Sequence, residues 1–313
     1  MIPPIIEPVD VALLKSELNE KTFLRNTNRG NNEIYIVNNE SAPNVLREIG
    51  RLREVSFRAV GGGSGTECDL DHFDLDDKAC FQLVVWNPEA DEIIGGYRFT
   101  RWSMASFHEN GQPYVNTEHL FDFSQKFIDE YFPYCIEMAR AFVQPKYQSA
   151  QMGRKALFAL DNLWDGIGGL VATDPNVKYL SGKVTIYSSS PELSRKAMIY
   201  YLDMCFGDRE GLITSKNPEL WTPEQGEMFK EMFTGADYKE NYQILNNYVK
   251  SMGDTIPPLI HSYIGLSSTM KTFGTTFDPD FGDCYDTAMI ITIADIYQEK
   301  RERYIDSYHA SNQ

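Results

Sequence analysis

The sequence predicts an α/β or α+β fold: one domain over residues 1–313, with a mixed central sheet flanked by helices and a helical insertion in the C-terminal half. Two observations lead there. Stretches with apolar residues at helical spacing alternate along the chain with short runs rich in β-branched and aromatic residues. The chain has 313 residues, 42% of them hydrophobic and 24% charged, enough to bury a sizeable core.

The elements follow in order. Residues 1–30 read as a leader with one amphipathic helix near Val9–Asn19. Glu33–Asn38 reads as a short strand. Ser41–Phe57 reads as a helix, with Ser41 as its cap and Val45, Leu46, Ile49, Leu52 and Val55 at a period near 3.6. Gly61-Gly-Gly-Ser-Gly65 breaks regular structure. Phe81–Trp86 and Glu92–Thr100 read as two strands joined by the turn at Asn87–Asp91, and Phe121–Tyr131 as a helix. Ile136–Val143 is a strand ended by Pro145. A helical stripe then runs from Met152 through Leu157, Leu160, Leu163 and Trp164, and Gly166, Gly168 and Gly169 are expected to close it. Lys183–Ser188 is a further strand and Pro191–Phe206 a further helix. Residues 207–255 read as a polar insertion or helical subdomain. Thr287–Ile293 is a closing strand and Ile296–Tyr308 a charged terminal helix.

Composition excludes several classes. There is no run of 18 apolar residues, hence no expected membrane span. The first residues lack the basic start and long apolar core of a secretory signal. Five widely spaced cysteines form no CxxC pair, so free thiols in a reducing cytoplasm are expected. Five scattered histidines give no ligand spacing, and no metal is expected. A net charge of −16 argues against nucleic acid. There is no Gly-x-Ser-x-Gly elbow and no P-loop.

Three charged clusters remain: Arg51 and Arg53 late in a helix, the acidic loop from Glu67 to Asp77, and Glu137-Met-Ala-Arg140 inside an apolar strand. Three apart on a regular strand, Glu137 and Arg140 would face opposite ways. A bulge between them would change that, and bulges occur beside active sites. Two readings stay open: ion pairs, such as Glu137 with Arg98 and Arg140 with Asp71 or Asp74, or a proton-accepting Glu137 beside arginines that grip a carboxylate. The Asp69-x-Asp71-x-x-Asp74 spacing fails as a calcium loop, because an EF-hand needs Gly at its sixth position and Glu at its twelfth. It is either a solvated loop or a lure for a substrate ammonium.

Leu52-Arg53…Phe57, Asp71-His-Phe-Asp74, Gln82-Leu-Val-Val, Gly95-Gly-Tyr-Arg98 and Glu137-Met-Ala-Arg140-Ala-Phe-Val143 occur in an order that resembles the acyl-carrier-protein-dependent GNAT N-acyltransferases. These include the ornithine-lipid and glycine-lipid enzymes, relatives of the acyl-homoserine-lactone synthases. Ile49-Gly-Arg-Leu-Arg-Glu, Leu160-Asp-Asn-Leu-Trp-Asp-Gly166, Ile256-Pro-Pro-Leu-Ile and Phe273-Gly-Thr-Thr resemble the glycine-lipid branch. Gln148 and Gly153 fit the family's Q/R-x-x-G-x-G/A donor loop, with Gln151 where its first glycine would stand.

The resemblance implies transfer of a long-chain, simple or 3-hydroxy, fatty acyl group from a carrier-protein thioester to the α-amine of an amino acid, most simply glycine. Glu137 would take the proton, with Arg140 beside it. Backbone N–H groups of Phe142, Val143 and Gln144 would polarise the thioester oxygen. Gln148, Gln151, Gly153, Arg154 and Lys155 would hold the phosphopantetheine phosphate of a donor substrate, carrier protein or CoA, and no cofactor would stay bound. Arg53, Phe57, Asp71, Asp74 and Arg98 would shape the acceptor pocket. Acyl carrier protein is the expected partner, docked on Lys146, Arg154 and Lys155 with Arg195 and Lys196. An acidic surface there would favour CoA instead. The expected place is cytoplasmic, with peripheral membrane contact left open because the product would be a lipid. The alternatives are a CoA-dependent N-acetyltransferase and a non-catalytic protein that keeps the fold.

Overall fold

The structure, a computed structural model, describes residues 2–76, 80–148 and 154–311, without the side chains of 154–157, 310 and 311. The chain divides into two compact units. Unit 1 holds Met1–Ala105, Tyr134–Lys178 and Ile296–Gln313, and unit 2 holds Ser106–Pro133 and Tyr179–Asp295.

In chain order the first elements are α1 (Val11–Glu17), β1 (Phe23–Asn26), β2 (Glu33–Val37), α2 (Pro43–Arg58), α3 (His72–Leu75), β3 (Cys80–Asn87) and β4 (Glu92–Arg101). Then come β5 (Phe121–Phe123), α4 (Gln125–Glu130), β6 (Cys135–Val143), α5 (Pro145–Gln148) and α6 (Arg154–Thr173). The rest are β7 (Tyr179–Ile186), α7 (Glu192–Phe206), β8 (Ile213–Ser215), α8 (Pro223–Met232), α9 (Tyr238–Ser251), α10 (Pro258–Ile264), β9 (Lys271–Asp278), β10 (Cys284–Thr292), α11 (Gln298–Arg301) and α12 (Ser307–Ser311). The mixed α/β class is the one the sequence predicts.

In unit 1 the strand order is β1-β2-β3-β4-β6, each neighbour antiparallel. Successive strand residues face opposite ways, so Gln82 and Leu83 mark the two faces. Gln82 accepts from Arg53 of α2, whereas Leu83 packs where a Cβ on Gly166 of α6 would sit 2.6 Å away. Helices α2 and α6 therefore cover opposite faces. The buried stripe of α2 (Val45, Leu46, Ile49, Leu52) is the predicted one. Its cap is not: Ala42 is the N-cap and makes no side-chain bond, Pro43 opens the helix, and Ser41 Oγ accepts from Asn38 N–H.

Gly166, Gly168 and Gly169 do not close α6; they lie inside it. A Cβ on Gly168 would run into the Tyr304 backbone carbonyl, so the helix needs glycine for close approach. Gly168→Ala is expected to destabilise the protein by about 1–3 kcal/mol through overpacking, against about 1 kcal/mol of helix preference for Ala. A urea midpoint at or above wild type would sink that account. The predicted terminal helix is broken into α11, a π turn over Glu302–Asp306, and α12. The Tyr304 carbonyl accepts from Arg25 Nη1 at 3.2 Å and the Arg303 carbonyl from Asn28 Nδ2 at 2.8 Å. Asn28 also donates to Asp165 of α6, and Tyr304 donates to Asp161 at 2.7 Å. Asp161 and Asp165 of the predicted Leu160–Gly166 string thus tie the β1–β2 loop and residues 298–311 to α6.

In unit 2, β10 lies between β7 and β9 in antiparallel register. The predicted helix over Phe121–Tyr131 begins instead as β5, which pairs antiparallel with β8, and only Gln125–Glu130 is helical, capped by Ser124. Within 207–255 lie β8, α8 and α9. Rings of Tyr200, Tyr201, Phe229 and Phe233 join α7 to α8 and the residue that follows it. Among the described residues no helix is long and apolar enough to cross a membrane.

Candidate active site

The site is built on one irregularity. Gly96 pairs with Phe142 and Arg98 with Ala139, so Tyr97 of β4 faces two residues of β6, Arg140 and Ala141. This is the β-bulge the spacing of Glu137 and Arg140 called for. Arg140 sits there at φ +50°, in left-handed backbone. The extra residue turns the Arg140 side chain toward Asp69 and Asp71, at 3.6 and 3.5 Å. Gln82, Arg98 and Glu137 lie on that same sheet face by register, Gln82 opposite Arg98 and Glu137 opposite Thr100.

Three arginines and three aspartates form one cluster there. Arg53 Nη1 donates to both oxygens of Asp74 at 3.1 and 3.0 Å, and Nη2 to Gln82 Oε1 at 2.5 Å. Arg98 Nη1 donates to both oxygens of Asp71 at 2.7 and 2.8 Å and to Asp74 at 3.2 Å. Asp71 and Asp74 close a capping box on α3, which fixes both carboxylates. The side chains of Arg53, Asp74 and Arg98 are 0%, 1% and 1% exposed, while Asp71 and Arg140 reach 28% and 19%. The buried trio is thus a frame, and Asp71 and Arg140 form its open edge. Burial opposes ionisation of Asp71, but the charge and hydrogen bond of Arg98, with Arg140 and Arg53 behind it, outweigh that and hold its carboxyl well below the usual range. Asp74 is likewise buried and likewise lowered, by Arg53 and Arg98.

Glu137 is 2% exposed, and the Trp102 indole donates to its Oε2 at 3.0 Å. Trp102 was not singled out from the sequence. Its signal is position: it follows β4 two residues past Thr100, the cross-strand partner of Glu137. Phe57 is buried and packs beneath Gly63, whose Cβ would lie 3.3 Å from it. In the glycine loop Ser64 Oγ donates to Glu54 at 3.1 Å.

At the strand end Gln144 N–H is donated to the Ile94 carbonyl at 2.9 Å. Bonded and non-bonded pairs alternate along an antiparallel ladder. Val143, opposite Gly95, is then a non-bonded pair, and its N–H is directed away from β4. Of the three predicted oxyanion donors, Gln144 is committed to β4 and Phe142 is its bonded alternate, which leaves Val143. Gly95 allows the approach, since a Cβ there would collide with the Phe142 carbonyl. Gln148 Nε2 donates to the Val143 carbonyl at 2.6 Å. Gln151 and Gly153 lie outside the described residues; Arg154 opens α6, and its side chain and that of Lys155 are not described.

The three expected docking cations whose side chains are described are each engaged within the protein. Lys146 pairs with Glu92 at 2.6 Å, Lys196 is buried against Glu219 at 2.5 Å, and Arg195 lies 4.2 Å from the Tyr285 ring centre. Burial pushes every cysteine thiol up: Cys68 and Cys205 to about 11, Cys80 to about 12, and Cys135 and Cys284 well above the ordinary thiol range. Among the described residues no group of three His, Cys, Asp or Glu is placed to hold a metal.

Residues 52–157 match the acetyltransferase (GNAT) domain. The chain is 46% identical over 305 residues to a glycine N(alpha)-acyltransferase of Phocaeicola vulgatus, covering 97% of this chain and 93% of that protein. It is 47% identical over 308 residues to a glycine N(alpha)-acyltransferase of Bacteroides thetaiotaomicron, covering 98% of this chain and 91% of that protein. A solved CoA-dependent acyl-homoserine lactone synthase aligns over 88% of this chain and 89% of its own at 12% identity and a TM-score of 0.38. Identity near one half across almost the full length is decisive: the chain belongs to the glycine N(alpha)-acyltransferase family of GNAT-fold enzymes.

Proposed function

We propose that this N-acyltransferase moves a long-chain fatty acyl group from a phosphopantetheine thioester to the α-amine of glycine, in the synthesis of an amino-acid lipid. The observation that carries the reading is the bulge in β6, which puts a buried carboxylate, Glu137, on the same strand and sheet face as the Arg140–Asp71 edge. Glycine comes from the two relatives that bear its name.

The chemistry needs few parts. Glu137, directly or through one water, takes a proton from the ammonium, since only the free amine attacks. The amine nitrogen bonds to the thioester carbon and charge gathers on the carbonyl oxygen; as that charge returns the C–S bond breaks, and the second proton on the nitrogen passes, directly or through water, to the departing sulfur, which leaves as the thiol arm. Val143 N–H is the donor best placed by register for that oxygen. Arg140 grips the acceptor's carboxylate, and the buried frame of Arg53, Arg98, Asp74 and Gln82 holds the edge in place.

The raised thiols argue against an acyl-cysteine intermediate, because the thiolate is the nucleophile. Serine at each of the five cysteines in turn is therefore expected to keep turnover within about threefold of wild type, the smallest loss a general acid–base group would explain being about a hundredfold. Trapping of an acyl-enzyme on any of them would end the direct-transfer scheme.

A carrier protein is the leading donor. The neutralisation of Lys146 and Lys196 favours a second reading, CoA. Incubating the enzyme with acyl-carrier protein or acyl-CoA and each common amino acid, with mass spectrometry of the lipid extract, separates the two. Absence of N-acylglycine with both donors would overturn the proposal.

A further inference from the structure

One member of the ion cluster has unfilled valence. The Asp69 side chain is 3% exposed, and its Oδ2 is buried with no hydrogen-bond partner. Its Oδ1 lies 3.6 Å from Arg140 Nη2, beyond hydrogen-bond reach. Its neighbours differ. Asp74 accepts from Arg53, Arg98 and Gln82, and both oxygens of Asp71 accept from Arg98. The carboxylate is also held in place: Asp69 N–H is donated to the Gly50 carbonyl at 3.0 Å, and its own carbonyl accepts from Arg53 at 3.4 Å. A buried carboxylate oxygen left unmet bears its desolvation cost with no return.

We infer that Asp69 and Arg140 together seat the acceptor as a zwitterion, the ammonium on Asp69 Oδ2 and the carboxylate on the Arg140 guanidinium. This rests on the acyl transfer to an amino acid proposed above. The two charges of a free α-amino acid are separated by one carbon, so a molecule entering a loose ion pair meets each member with its opposite charge. Arg140 stands at the open edge with 19% of its side chain exposed, and it leaves Asp69 as it takes up the carboxylate. Asp71 and Asp74 cannot take the ammonium role without giving up buried arginines; Asp69 gives up only its 3.6 Å contact.

Asp69→Asn, nearly isosteric and uncharged, tests the assignment. KM for glycine should rise at least about tenfold, the loss of one charge-assisted hydrogen bond, with KM for the acyl donor unchanged. Inhibition by glycolate, which carries a neutral hydroxyl in place of the ammonium, should weaken by less than about threefold, because that hydroxyl still finds an acceptor in the asparagine Oδ1 and loses no ion pair. A glycine KM within about twofold of wild type would overturn the assignment, and so would equal weakening of glycine and glycolate, the mark of a collapsed pocket. Asp69→Ser serves with the same outcomes if the asparagine variant folds poorly. A wild-type enzyme that makes no N-acylglycine in this assay would instead remove the acyl-transfer reading.

Discussion

Glu137→Gln will lower turnover by about 10²–10⁴-fold, the range for a positioned general base, and will leave the unfolding midpoint nearly unchanged. The amide keeps the shape of the side chain, and its oxygen can still accept from the Trp102 indole, which bonds Glu137 at 3.0 Å. It also removes a group whose charge is costly to bury. Steady-state rates with saturating donor and glycine, paired with thermal unfolding, check both halves. Wild-type turnover would take Glu137 out of the mechanism, and a large loss of stability would recast it as a structural residue.

Asp74→Asn will have the converse signature. It leaves Arg53, which is 0% exposed, without its carboxylate. Removing one partner of a buried pair costs about 3–5 kcal/mol. Donor and acceptor contacts are touched only through the frame, so the main readout is the urea midpoint at neutral pH. The same carboxylates set an acid limit. Asp71 and Asp74 are lowered in the folded protein by the arginines around them. Groups lowered in this sense contribute stability that is fully present above the unfolded value, about 3.9, and lost as pH falls below it toward the folded values. The gap in stability between wild type and Asp74→Asn should therefore narrow in that acid range. A gap independent of pH would mean that the loss comes from packing and not from charge.

Much of the site was legible in the sequence because its signals are local. A glutamate and an arginine three apart in an apolar strand demand a bulge if they are to serve one face, and β6 has one. The charged residues Arg53, Asp71, Asp74, Arg98 and Arg140 do converge. Arg140 beside Asp71 is one of the ion pairs the sequence offered; the pairing of Arg53 and Arg98 with Asp74 was not legible, because it depends on how α2, α3 and β4 meet. Asp69 was given no role in the site for that reason: the aspartates of one loop look alike until two are consumed by arginines. The glycines of α6 were misread because glycine weakens a helix on average, and only the fold reveals that Leu83 and Tyr304 press against them. Phe121–Phe123 is apolar enough for either state; its pairing with Ile213–Ser215 decides it, and no local pattern encodes a partner so far along the chain.

The anchoring of residues 298–311 to α6 and the β1–β2 loop bears on how the protein is made. Arg25 and Asn28 donate to carbonyls of the π turn. A nascent chain still short of residue 296 has synthesised every strand of unit 1 but lacks those acceptors. On the ribosome its early hairpin lacks these two acceptors until residues 303 and 304 have emerged. Removal of residues 298–311 should cost soluble yield before it costs catalysis.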